Sequence, residues 1–72
     1  MAIFSCRLRQ IRKINNVTQK QTAQAIKTTE QNYQRYERGT QQPKLPILIA
    51  LADYFDVSLD YLAGRSNDPK RR

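Results

Sequence analysis

The sequence has no histidine and a single cysteine, Cys6. Structural metal centres are assembled from several Cys, His and carboxylate ligands, so no protein-built metal site and no cofactor are expected. One thiol excludes an internal disulfide framework and fits a reducing cytosol. Cys6 itself reads as helix filler rather than a redox switch. Only two glycines are present, so there is no Gly-rich loop to cradle a phosphate. With no imidazole and no Ser or Cys paired with a base, no catalytic constellation is legible, and an enzyme is not expected. No alternating strand pattern occurs, which leaves an all-α fold. No apolar run approaches the roughly 18 residues of a membrane span. The opening MAIFSCRLRQ lacks a basic region followed by a long apolar stretch, so no secretory signal is expected.

Acidic residues are scarce and unevenly placed. The 72 residues carry 13 Lys/Arg against 6 Asp/Glu, a net charge of +7. Residues 1–44 hold nine Lys/Arg against Glu30 and Glu37, net +7; residues 45–64 hold Asp53, Asp56 and Asp60 and no basic residue, net −3. Residues 65–72 hold four basic residues and Asp68, net +3. A basic first half fits a polyanionic partner or simply a well-solvated surface. So short a chain makes one domain and buries only about 60% of its unfolded surface, so a partner subunit would help it.

Local signals divide the chain into five helices. Phe4, Leu8, Ile11 and Ile14 repeat at helical spacing and predict a first helix over 4–14, ended by Asn15-Asn16. Thr18, with Gln21 three residues on, forms a capping box for a second helix ending near Ile26. Thr28 or Thr29 caps a third, which stops at Gly39. After the polar loop Thr40 to Pro43, a fourth helix runs from Leu45 to Phe55, with Pro46 tolerated in its first turn. Ser58 caps a short fifth helix, Leu59 to Ala63, ended by Gly64. The tail from Arg65 to Arg72 has no apolar residue, and no packed structure is expected of it. The predicted organisation is a helical domain over residues 1–64 and a basic, disordered tail over 65–72.

Residues 18–39, TQKQTAQAIKTTEQNYQRYERG, hold the strongest functional pattern. The second helix turns Thr22, Ala23 and Ile26 to one side. The third turns Tyr33, Tyr36 and Glu37 inward and leaves Glu30, Gln31, Asn32, Gln34 and Arg35 outward. Amides and Arg on an outward helical face suit base edges in a DNA major groove. The i, i+3 spacing of Tyr33 and Tyr36 favours the core over base stacking.

In order and spacing, the chain resembles the Xre/Cro family of phage and bacterial repressors, a five-helix form of the helix-turn-helix. The resemblance covers about residues 4–64. It is carried by Phe4, Leu8 and Arg12; Thr18-Gln19 and Ala23; Arg35-Tyr36-Glu37-Arg38-Gly39; Pro43; Leu51-Ala52; and Val57-Ser58-Leu59-Asp60-Tyr61-Leu62 with Gly64. It implies an Arg12–Glu37 ion pair tying the first helix to the end of the third. Three positions depart from the family pattern. Lys27 stands where the turn between helices two and three usually has Gly, Thr22 replaces a Leu, and Tyr33 replaces an Ile or Val.

The candidate base contacts are Glu30, Gln31, Asn32, Gln34 and Arg35. Gln and Asn can grip adenine, and Arg can grip guanine. Arg35 could instead hold a phosphate. Glu30 could accept from cytosine or merely stabilise the helix start, and Gln34 could meet a base or the backbone. Thr18, Gln19, Lys27, Thr29, Arg38, Thr40 and Lys44 are phosphate candidates. In the fourth helix, Leu45, Leu48, Leu51, Ala52 and Phe55 form the expected core stripe. Ile47, Ala50 and Tyr54 are then surplus and are assigned to a homodimer interface, since the resemblance puts helices four and five near the dimer seam. The resemblance implies a sequence-specific transcriptional regulator, a cytoplasmic repressor, bacterial or phage-encoded, associated with the nucleoid. It would bind a palindromic double-stranded DNA operator as a homodimer. The alternative is an antitoxin or interaction module whose apolar fourth helix covers a partner protein.

Overall fold

The computed structural model describes residues 2–70, and contains five helices and no strand among them. They are α1 (Ala2–Ile14), α2 (Gln19–Ala25), α3 (Glu30–Arg38), α4 (Leu45–Phe55) and α5 (Leu59–Leu62). Each cap read from the sequence is present. The Thr18 hydroxyl accepts from Gln21 N at 3.0 Å while Gln21 Oε1 accepts from Thr18 N at 2.8 Å. Thr29 rather than Thr28 caps α3, accepting from Asn32 N at 3.1 Å, and Ser58 accepts from Tyr61 N at 3.0 Å.

All five helices end by one device, although the chain has only two glycines. A residue in the left-handed region donates back across the last turn, and the next residue donates to the carbonyl five positions before it. The left-handed residues are Asn16, Lys27, Gly39, Asp56 and Gly64. At Lys27 the bonds are Lys27 N to Gln24 O, 3.2 Å, and Thr28 N to Ala23 O, 3.0 Å. The turn between α2 and α3 thus keeps the shape a glycine would give, at a cost of about 1 kcal/mol for the side chain at φ 59°. A β-carbon on Gly64 would collide with Ile3 of α1, so that glycine is required by space as well as by φ. This packing accompanies a start for α1 at Ala2, two residues before the apolar periodicity predicts.

The core draws Phe4, Leu8 and Ile11 from α1, Ala23 and Ile26 from α2, Tyr33 and Tyr36 from α3, Leu51, Ala52 and Phe55 from α4, then Val57 and Leu62. The two tyrosine rings meet edge to face, 6.4 Å between centroids. Both polar departures from the family pattern are satisfied inside. Thr22, fully buried, donates to Thr18 O at 2.9 Å, and Tyr33, fully buried, donates to Glu37.

Two expectations about α4 are corrected. Leu45 is 62% exposed and does not join the core stripe. It is the first residue of α4, on the flank it shares with Ile49, which is also exposed. Ile47 and Ala50, expected to be surplus, are half-buried against the core; only Tyr54 of that trio is exposed. The described part of the tail, residues 65–70, bonds back to the domain. Ser58 N donates to Pro69 O at 3.0 Å, and the Arg7 guanidinium donates to Ser66 O at 2.7 Å and to Tyr61 O at 2.9 Å. Arg7 also lies 4.3 Å over the Tyr61 ring. Backbone carbonyls hold this segment, so no apolar residue is needed. Positions 71 and 72 of the expected tail lie outside the described residues.

Candidate nucleic-acid interface

The outer face of α3 is supported by a buried carboxylate. Glu37, 4% exposed, accepts from Arg12 Nε at 2.5 Å and Arg12 Nη2 at 3.3 Å, from Tyr33 Oη at 2.5 Å, and from Gln19 Nε2 at 3.1 Å. Arg12 also donates to Val17 O at 3.0 Å, so one side chain ties α1 to the loop before α2 and to the end of α3. Burial pushes the Glu37 carboxyl up; the hydrogen bonds from Arg12, Tyr33 and Gln19 outweigh it and hold the carboxyl below its ordinary value. The hydrogen bond to Glu37 raises Arg12, and burial, then the bond to Glu37, raises the Tyr33 phenol. At neutral pH the pair is therefore charged, and the Tyr33 hydroxyl keeps its proton for donation.

On this support, α3 presents its polar side chains outward. Glu30, Gln31 and Arg35 are exposed, and Asn32 and Gln34 are half-buried. Asn32 is engaged at both ends: its amide donates to Thr28 Oγ1 and its carbonyl accepts from Arg35 Nη1, both at 3.3 Å. It therefore orients Arg35. Gln34 Nε2 donates to Gln19 Oε1 at 3.3 Å, which joins the outer face of α3 to the start of α2. Glu30 lines a groove with Arg12, Thr18, Gln19 and Lys20.

Of the phosphate candidates, Thr18, Lys27, Thr29, Arg38, Thr40 and Lys44 are exposed and Gln19 is half-buried. Thr18 and Thr29 stand at the starts of α2 and α3, Lys27 in the turn between them, and Thr40 and Lys44 in the loop after α3. The Thr40 hydroxyl donates weakly to Arg35 O at 3.4 Å. Sequence reasoning did not single out Lys20, although its charge beside Thr18 and Gln19 was a visible signal. It gave Arg7 no role either. The bonds of Arg7 reach 54 to 60 positions along the chain, and nothing local marks them.

Five helices, the second and third joined by a turn over residues 26–29 and braced by an internal ion pair, define a helix-turn-helix domain. Residues 8–62 match the Helix-turn-helix family, and the chain belongs to it. It is 41% identical over 67 residues to the uncharacterized HTH-type transcriptional regulator YobD of Bacillus subtilis, a match that covers 93% of this chain and 60% of that protein. It is 39% identical over 59 residues to the cryptic phage CTXphi transcriptional repressor RstR of Vibrio cholerae, covering 82% of this chain and 53% of that one. The chain thus spans between about half and three-fifths of the length of these relatives. The P22 c2 repressor in complex with a synthetic operator superposes with a TM-score of 0.84 at 23% identity, over 92% of this chain and all of that one. The DNA-binding domain of the same repressor in solution gives 0.80 at 24%, over 85% and 80%. At that identity the likeness is one of fold.

Proposed function

We propose that this chain is the DNA-binding unit of a sequence-specific transcriptional regulator, a repressor acting on double-stranded operator DNA in the cytoplasm. The observation that carries this reading is the outer face of α3. Gln31 and Arg35 stand exposed there, on a helix fixed from behind by the Arg12–Glu37–Tyr33 network. A rigid helix with amide and guanidinium groups outward is what base-edge recognition requires. The exposed Lys27, Arg38 and Lys44 flank it as phosphate contacts. The relatives, named as transcriptional regulators and a repressor, support the reading, and they belong to a class that is not normally enzymatic. No helix among the described residues is long and apolar enough to cross a membrane.

Operator recognition would use two copies, each placing α3 in successive major grooves about 34 Å apart. We place the seam on the apolar side chains left exposed by α4 and α5, Ile49, Tyr54 and Leu59, with Leu45 beside Ile49. Ile47 serves this role poorly, because it is half-buried against its own core. The same exposed residues favour the second reading, a different protein covering α4.

Selection of bound duplexes from a random pool tests the function. A palindromic sequence with half-sites one helical turn apart supports a dimeric operator-binding regulator, and an Ile49→Lys variant should then lose cooperative binding. A pool that shows no enrichment refutes sequence-specific binding. Enrichment of a single half-site, by a chain that sediments as a monomer, refutes the dimer.

A further inference from the structure

The contact between Gln19 and Gln34 has a fixed polarity, and this refines the DNA reading on which it rests. A charged carboxylate can only accept, so the end of Gln19 that faces Glu37 must be its nitrogen. The Gln19 oxygen is then the end turned toward α3, and Gln34 must meet it with its own nitrogen. The distances agree: 3.1 Å from Gln19 Nε2 to Glu37 Oε1, and 3.3 Å from Gln34 Nε2 to Gln19 Oε1. Gln34 is half-buried on the flank of the α3 outer face. With one amide hydrogen committed to Gln19, it has its carbonyl oxygen and one hydrogen left for an outside group.

We propose that Glu37 and Gln19 are positioning residues that leave Gln34 one outward acceptor and one outward donor, so that it selects adenine, through N6 and N7, over guanine. The remaining oxygen and hydrogen of Gln34 match the N6 and N7 of adenine. Guanine offers two acceptors, O6 and N7, and needs two donors that Gln34 cannot supply while it holds Gln19. The buried charge thereby writes its sign, through two amides, onto the reading surface. A contact that merely braced α2 against α3 would change stability on mutation and leave base preference untouched.

The test is selection from a random duplex pool with wild type, Gln34→Ala, Gln19→Ala and Gln19→Lys, with thermal unfolding of each variant to confirm its fold. Wild type should show one position preferring A over G by on the order of tenfold. Gln34→Ala and Gln19→Ala should flatten that position. In Gln19→Lys an ammonium donates to Glu37 and to the Gln34 oxygen, which turns the Gln34 NH2 outward, and the preference should move from A to G. An unchanged selected sequence in Gln34→Ala overturns the proposal, as does an A-over-G preference that survives in both Gln19 variants. A wild type that selects no sequence refutes the DNA reading itself; a selective wild type indifferent to Gln34 refutes only the polarity relay.

Discussion

The two ends of this domain terminate their helices identically and differ in what they leave uncovered. Around α2 and α3 the exposed residues are largely amides, hydroxyls and cations, with Glu30 the one exposed acid, and the buried polar groups are joined to them. Glu37 lies beneath Gln19, and Gln19 beneath Gln34. Around α4 and α5 the exposed large side chains are Leu45, Ile49, Tyr54 and Leu59 among aspartates, and what lies beneath them is apolar. The first region is held by a network in which each group depends on its neighbours. The second rests on packing that tolerates a change at its surface. The contrast separates a surface suited to reading a polar ligand from one suited to covering an apolar partner.

The largest effect should follow from breaking the network at its centre. Glu37→Ala leaves Arg12 and the Tyr33 hydroxyl without their acceptor in a buried site and should cost about 3–5 kcal/mol, read by urea denaturation. Leu45→Ser should stay within about 0.5 kcal/mol of wild type, because Leu45 is already exposed. Equal losses at the two positions would erase the distinction between the regions. The network should also respond to acid. The folded-state pKa of Glu37 is lowered, so its contribution is complete above its ordinary value of 4.5 and is lost as pH falls through the depressed value. Glu37→Gln should remove that part of the acid-side decline in stability.

A smaller effect is expected where the regions meet. Arg7→Met removes the donors to Ser66 O and Tyr61 O and the contact with the Tyr61 ring. A loss of about 1–2 kcal/mol is expected, since the site is partly solvated. Amide exchange at Ser58, whose N–H is held by Pro69 O, should quicken with it. Unchanged exchange would show that the tail is not held by this clasp.

The smallest effect should come at the turn. Lys27→Gly relieves the strain at φ 59° and should stabilise the fold by about 0.5 kcal/mol, part of the gain being offset by the added freedom of the unfolded chain. Its DNA affinity should nevertheless fall, through loss of a phosphate contact.

Legibility in the sequence followed the range of the interactions. Thr18 with Gln21, Ser58 and Gly39 act within one helical turn, and their helices fall where the pattern places them. The inward set Tyr33, Tyr36 and Glu37 was legible from periodicity, and the Arg12–Glu37 pair from family resemblance. Leu45 was misread because hydropathy cannot tell a core stripe from an exposed one when α4 is apolar on several faces. The Arg7 clasp and the Gln19–Gln34 contact join positions distant in the chain and leave no periodic trace. Asn32, a candidate base contact, also holds Arg35 three residues on, a local pairing that helical spacing permits.

The most direct test of the central claim, that α3 reads sequence while its flanks supply charge, is a titration against two duplexes. Wild type, Arg35→Ala and Lys44→Ala are each measured on the selected operator and on unrelated DNA, across a salt series. Wild-type affinity for the operator should fall on the order of 10³-fold between roughly 50 and 200 mM salt. Arg35→Ala should cost about 1–3 kcal/mol on the operator and little on unrelated DNA, while Lys44→Ala weakens both alike and makes the salt dependence shallower. Equal losses on both duplexes for Arg35→Ala, or a wild-type affinity flat in salt, would contradict the claim.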